Sequence, residues 1–410
     1  ANEEREPSAR ARFDQLHGKS SREGRWRTLR DDRAGDAELE TRIRQLEALG
    51  YASGTKTAPS LVGVTVHESS KAEQGVNFYT SGHAAEAVLM GMDGEVLHRW
   101  SRGFWDIWPD DDADPVWEGT QHWRRAEPLP NGDILVIFEG LGLAKLDADS
   151  EVLWARRNGA HHDLQVLDNG DIAVLSRTRH LIPRIHEHWP SLEDFVLILD
   201  PNGREKERHS ILDAFERSQD HRPAWTDVAR WKGDLFHTNS IQVLDGRFVD
   251  VNPAFAAGNF LLSSRHLDAV FVVDPRVNEV VWVLRGAFKA QHDAELLNDG
   301  SLMLFDNQGK GEVSSVQVYD PAKKVLEWEY SGTSTAPFFT SLCGASQRLT
   351  NGNTLITESE NGRAFEVTPA GAIVWEFYNP HRAGDDDEFI ATLFHVDRLP
   401  LKRVSWLNGE

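Results

Sequence analysis

The sequence predicts an all-β protein: a six-bladed β-propeller closed by a C-terminal strand, with a short N-terminal helical extension. Three observations predict it. A unit recurs with a period of about 40 to 50 residues, the size of a four-stranded propeller blade. Each copy sets Asn-Gly or Asp-Gly, or a close variant, between two apolar runs, supplying the positive φ that a tight hairpin needs. The 14 Trp and 32 Gly in 410 residues, with few long helical patterns, favour many short strands.

In chain order, residues 1–50 carry eleven basic and eleven acidic residues, so the net charge of the protein resides entirely on the remainder. Leu39, Ile43 and Leu46 fall at i, i+4 and i+7, with Asp36 before them and Gly50 after, which predicts one helix. A stripe this narrow needs a partner surface: the main domain, a subunit neighbour or a membrane-proximal stalk. The chain accordingly divides into an extension over 1–58 and a propeller over 59–410. The segment from GVTVHESS to EVLHRW (63–100) supplies strands of a first blade but no opening strand. Ala126–Arg157 forms the next copy, and LQVLDNGDIAVLSRT continues after an insertion into FVLILDPNGREKER. GNFLLSSRHLDAVFVVDPRVNEVVWVLRG follows. Next comes AELLNDGSLMLFDNQ with SVQVYDPAKKVLEWEYSG, and then QRLTNGNTLITESENGRAFEVTPAGAIVWEFYNP. ATLFHVDRLP (391–400) supplies the missing strand, so a late strand entering the first blade closes the ring and hides its edges. Insertions at 101–120 and 179–232 are expected as loops over one mouth, with Trp105, Trp108, Phe338 and Phe339 flanking it.

Composition excludes several function classes. With 44 basic against 65 acidic residues the net charge is −21, which repels phosphate backbones and argues against a nucleic-acid partner. No apolar run approaches the length of about 18 residues that a membrane-spanning helix needs. Cys343 is the single cysteine, so neither an intrachain disulfide nor a Cys-rich zinc site is available. No signal peptide is visible, although a start at Ala1 hints at processing.

The openings of the repeats carry the chemistry. They read Q-H-W-R-R (His122), A-H-H-D-L (His161, His162), F-H-T-N-S-I (His237, Asn239) and Q-H-D-A-E-L (His292), with His395 in the last strand. The first strand of a propeller blade lines the central channel, so register sends these histidines to one funnel. A ring of imidazoles can bind metal, move protons, or act as nucleophile and anion donor. Asp163 and Asp293, each directly after a histidine, could complete a metal site; orienting the rings is the preferred reading. Arg265, in L-L-S-S-R-H-L-D, and Arg124 and Arg125 form a cationic element against the overall field. An anionic ligand is therefore expected.

The segments HHDLQVLDNGD, FHTNSIQVLDG, LLSSRHLDAVFVVD and QHDAELLNDGSLMLFDNQ, in that order, resemble the bacterial arylsulfate sulfotransferase family over about residues 60–400. The resemblance implies a six-bladed propeller that moves a sulfuryl group from a phenolic sulfate to a phenol. The reaction would be ping-pong through a sulfohistidine, without a nucleotide sulfate donor, and no cofactor or metal is implied. Carried over by motif, His292 would be the nucleophile and Arg265 would clamp the sulfate oxygens. His237 and His162 would donate to the sulfate or to the leaving oxygen, while His161, His122, Arg124, Asn239 and Asp293 would bind substrate. Well-known members carry a β-sandwich ahead of the propeller and a disulfide pair, which this chain replaces with a helical arm and Cys343. A periplasmic or cell-surface location, a homodimer, and a membrane-proximal or protein partner through residues 1–58 are further expectations. Two other functions stay open: a non-catalytic binding or assembly propeller, and a metal-dependent lyase or hydrolase using the histidine ring.

Overall fold

The computed structural model describes residues 56–113, 118–185, 190–221, 233–334, 336–384 and 386–408. The helix expected around Leu39–Leu46 lies outside them. Six antiparallel sheets of at least four strands are arranged as the predicted propeller. The innermost strand of blade one is Leu393–Leu399, followed outward by Val76–Ser81, Glu86–Met90 and Val96–Ser101. Blades two to six open with Arg125–Pro128, Ala160–Val166, Thr238–Val243, His292–Leu296 and Ala345–Arg348. The C-terminal strand therefore enters the first blade as expected.

The predicted turn residues occupy the positions that require them. Gly132, Gly170, Gly300 and Gly352, each in the turn of an inner hairpin, have φ between 83° and 89°, whereas Gly246, with φ of 84°, starts the longer connection between Thr238–Val243 and Phe260–Ser264. The second strands of the blades, such as Ile134–Phe138 and Leu302–Asp306, are buried along their whole length. They read as continuous apolar runs because blades cover both of their faces. The core is accordingly divided into wedges, one between each pair of neighbouring blades.

The tryptophans serve this stacking. Trp100 Nε1 donates to Gly132 O in the next blade, Trp154 to Pro201 O, Trp328 to Pro369 O, and Trp375 across the seam to Met92 O. An indole supplies a large apolar surface and one donor, so each caps a neighbouring turn while filling a wedge.

Two expectations are revised. Gly63–His67 does not build the first blade; it adds a fifth, outermost strand to blade six, pairing with Ile373–Tyr378. The first part of the 179–232 insertion is no loop, because the ladder between Ile172–Leu181 and Pro190–Leu199 continues to the pair Leu181 and Pro190. Within 101–120 a short helix, Phe104–Ile107, packs on blade two, where Trp108 lies 5.8 Å from Phe138 between ring centroids.

Candidate active site

The sequence argument requires the histidines to meet; the structure brings His161, His162 and His237 together with His266, which follows the second strand of blade four, whereas His395 lies 3.5 Å from Asp397. His162 and His237 have ring centroids 4.8 Å apart, His237 and His266 4.9 Å, and His161 and His162 5.1 Å. The backbone is kinked where these rings enter: His162 and His237 have φ of 54° and 49°, and the ladders slip in register beside His237 and His292. Such bulges re-aim side chains next to functional sites. The hairpin pattern forces a regular strand only downstream of them.

Each ring has a partner that sequence spacing does not announce. His162 Nδ1 lies 2.9 Å from His161 Nδ1 and 3.3 Å from Glu139, and the Glu139 carboxylate also accepts the His162 backbone N–H. Burial would raise the Glu139 carboxyl, but the Arg177 guanidinium 3.0 Å away, then the His161 ring, Arg124 and the His162 backbone N–H, hold it below its ordinary value. His237 Nδ1 lies 2.7 Å from Asp234 Oδ2, and His266 Nδ1 donates to the Asp234 carbonyl at 2.8 Å. Asp194, which accepts Thr238 N–H, is pushed up by burial and by the nearby Asp234.

His292 is the most defined of the set. Its Nδ1 lies 2.7 Å from Asn307 Oδ1 and 3.1 Å from Ala290 O. Asn307 Nδ2 donates to Thr340 O at 2.9 Å and to Cys343 O at 2.5 Å, which fixes the orientation of the amide. Both atoms facing Nδ1 are therefore acceptors, so Nδ1 carries the proton and Nε2 the lone pair. Burial, then the Arg265 charge, hold His292 well below the ordinary histidine value. Arg124 and His237 act in the same direction, placing two guanidiniums within electrostatic reach of this ring.

Burial also depresses the rest of the ring, with His122, His161 and His266 falling to about 3. For His237 the Asp234 charge opposes that loss, which makes it the ring best placed to hold a proton when an anion binds. His122 packs on Phe394 with ring centroids 4.7 Å apart and planes tilted by 31°, and Arg124 lies 5.4 Å over the same ring. Asn239 donates to Gln291 O, directly before His292, at 2.8 Å.

The two aspartates do not orient imidazoles. Asp163 accepts Ile241 N–H and Asp293 accepts Ser346 N–H, so each clips its blade to the next. With Arg125, Glu127, Glu295 and Asp397 they line a cavity of about 340 Å³ farther along the inner strands. Arg125 belongs to that acidic end, 3.4 Å from both Asp163 and Asp397. Phe338 is likewise core rather than mouth, 5.5 Å from both Phe305 and Phe365.

Glu139, Asp234, Arg177, Asp194 and Asn307 escaped the sequence reading. Asn307 and His266 lie inside quoted motifs and Asp234 is three residues before His237, but nothing distinguished them from structural polar residues. Glu139 gave no signal, because it only ends an apolar strand.

A family model described as arylsulfotransferase (ASST) matches residues 125–380, more than half of the chain. The chain belongs to the arylsulfotransferase family. Membership supports sulfotransferase-type chemistry in general terms. No curated protein matches. Among solved structures, this arylsulfotransferase-family chain is similar to a protein of unknown function from Bacteroides caccae. The identity is 11% over 79% of this chain and 98% of that chain, with a TM-score of 0.50. It is also similar to a virginiamycin B lyase from Staphylococcus aureus, at 10% identity over 82% and 94% with a TM-score of 0.42. At 11% identity the Bacteroides caccae structure bears on the fold alone.

Proposed function

We propose that the protein is an aryl-sulfate sulfotransferase that carries the sulfuryl group on His292 Nε2. The observation that supports this reading is the His292 ring itself: Asn307 holds its Nδ1 proton and leaves a neutral Nε2 lone pair beside Arg124 and Arg265. The lone pair attacks sulfur of a phenolic sulfate ester while the S–O bond to the phenol breaks, leaving an N-sulfohistidine and a phenolate. His237, with Asp234 behind it, is placed to hold the proton that the leaving oxygen takes. A phenolic acceptor then gives up its proton to the same pair and attacks sulfur; the N–S bond breaks and the lone pair returns to His292. The two arginines neutralise the sulfuryl oxygens in a dry site, where preorganised charge contributes most. This sequence needs no nucleotide donor and predicts ping-pong kinetics. A periplasmic or cell-surface location and a partner or homodimer role for residues 1–58 accompany the reading as proposals.

The test is incubation with a chromogenic phenyl sulfate and a phenol acceptor, followed by intact-mass analysis, with His292→Ala alongside. Acceptor-dependent release of the chromophore, and a mass gain of one sulfuryl group that is lost in the variant, support the proposal. No turnover and no adduct across several donors and acceptors would refute it in favour of a binding or assembly propeller. One observation favours a second reading, a metal-dependent lyase or hydrolase. Glu139 with His161 and His162 form one group, and Asp234 with His237 and His266 another; within each, the ligand atoms lie within 4.8 Å of one another. Stoichiometric metal that is lost in His162→Asn or His237→Asn, with activity lost on chelation, would select it.

A further inference from the structure

His83, Glu86 and His381 come together where the ring closes. His83 lies between the second and third strands of blade one, Glu86 opens the third, and His381 follows the fourth strand of blade six. The two imidazoles are stacked, with centroids 3.3 Å apart and planes 10° from parallel. Glu86 Oε1 lies 2.7 Å from His83 Nε2 and 3.8 Å from His381 Nε2. Arg99 donates to that same oxygen at 2.7 Å. One oxygen cannot serve three groups well, and His381 Nε2 is left buried without a hydrogen bond. A buried ring nitrogen in that state is uncommon and calls for an explanation.

We propose that these three side chains form a binding site for a divalent transition-metal ion of the zinc type, joining the first blade to the last. Their ligand atoms lie within 4.8 Å of one another. Donors about 2.0 to 2.2 Å from one tetrahedral ion stand about 3.3 to 3.6 Å apart, so on binding Glu86 Oε1 moves away from His83 Nε2, now 2.7 Å off, and closes slightly on His381 Nε2, now 3.8 Å off. The supporting shell is present: Ser81 Oγ lies 2.8 Å from His83 Nδ1 and is itself held by Asn379 Nδ2 at 3.0 Å. In the metal-free protein the carboxylate 2.7 Å away keeps the proton on His83 Nε2; when an ion displaces that proton, Ser81 Oγ can accept from Nδ1 and hold the ring with its Nε2 lone pair on the metal. Two imidazoles and one carboxylate suit zinc and its first-row neighbours, whereas calcium and magnesium prefer oxygen alone. Arg99 is displaced on binding or keeps one carboxylate oxygen while the ion takes the other. The side chains are distinct from those assigned to sulfuryl transfer, so this inference does not depend on that reading.

The experiment uses full-length protein stripped with chelator and titrated with zinc sulfate by calorimetry. Cobalt(II) is followed in parallel by its visible absorption. The expected result is micromolar or tighter binding in the wild type. One equivalent is lost in His83→Gln and in His381→Gln but kept in His162→Asn, which removes a funnel histidine instead. Because the ion binds only the assembled seam, zinc raises Tm of the wild type by mass action, and that shift disappears in both seam variants. Circular dichroism verifies that the seam variants fold; if either does not, Glu86→Gln, which keeps the side-chain size, replaces it. Absence of zinc or cobalt binding at millimolar metal, or seam variants that bind and respond like the wild type, would overturn the proposal.

Discussion

Replacing Asn307 with leucine tests whether the tautomer of His292 is what the site is built to hold. The change keeps the approximate side-chain volume but removes the acceptor 2.7 Å from Nδ1 and the two donors to Thr340 O and Cys343 O. Leaving a buried polar group without its partner costs about 1–3 kcal/mol. Part of that cost falls on stability, through the two carbonyls. The part that bears on Nδ1 weakens the tautomer with the lone pair on Nε2 and enters the barrier of the first displacement. At 1.36 kcal/mol per factor of ten, this amounts to about a 5- to 150-fold slower step. The assay is the pre-steady-state burst of phenolate from a chromogenic phenyl sulfate, with the donor KM measured beside it. The burst should slow by that factor while KM moves little, because Asn307 faces the nucleophile from behind. Asn307→Asp separates position from packing: a carboxylate still accepts from Nδ1 but stabilises the imidazolium, so the acid limb of the rate profile should move to higher pH. A folded Asn307→Leu protein with a wild-type burst, or an Asn307→Asp profile that does not move, would refute the reasoning.

Three further outcomes follow from the same structure. Burial and then Arg265 depress His292, so kcat/KM should stay level as pH falls through 6.5 and decline only at clearly lower pH; a limb centred near 6.5 in pH–rate measurements would contradict this. Burial raises Asp293 to about 7, so folding favours its protonated form. The resulting stability is fully present below the unfolded value of about 3.8 and is lost as pH rises toward 7. Asp293→Asn, which can still accept Ser346 N–H, should therefore be more stable than wild type at pH 7.5, by about 1–4 kcal/mol, and nearly equal at pH 4, in denaturant titrations. Deleting residues 393–410 removes Leu393, Phe394 and Val396, all at most 2% exposed, together with the inner strand of blade one. At about 1.5–3 kcal/mol for each buried side chain, and with an unpaired edge left behind, the truncated chain should show no cooperative unfolding transition by circular dichroism.

The histidines illustrate how far the sequence could be read. Their distance from each Asn-Gly turn assigned them to inner strands, because a hairpin turn fixes register over the few residues around it. Register does not say what a side chain meets across a blade boundary. Asp163 and His162 are adjacent in sequence, yet one is bonded to Ile241 in the next blade and the other lies beside Glu139 in the previous one. Asn307 reaches His292 across a hairpin of 15 residues and was indistinguishable from a turn residue.

By itself the sequence determined the blade repeat, most of the hairpin turns and closure by the last strand. All of these are set by local periodicity and by residues with special backbone freedom. Tertiary structure alone decided that Gly63–His67 joins the last blade, and that the aspartates clip blades instead of holding rings. It also placed Glu139, Asp234 and Asn307 behind the imidazoles, and His83 against His381. The physical reason is separation along the chain: hydrogen bonds and charge pairs act over a few ångströms in space, and between blades those ångströms join residues tens to hundreds of positions apart.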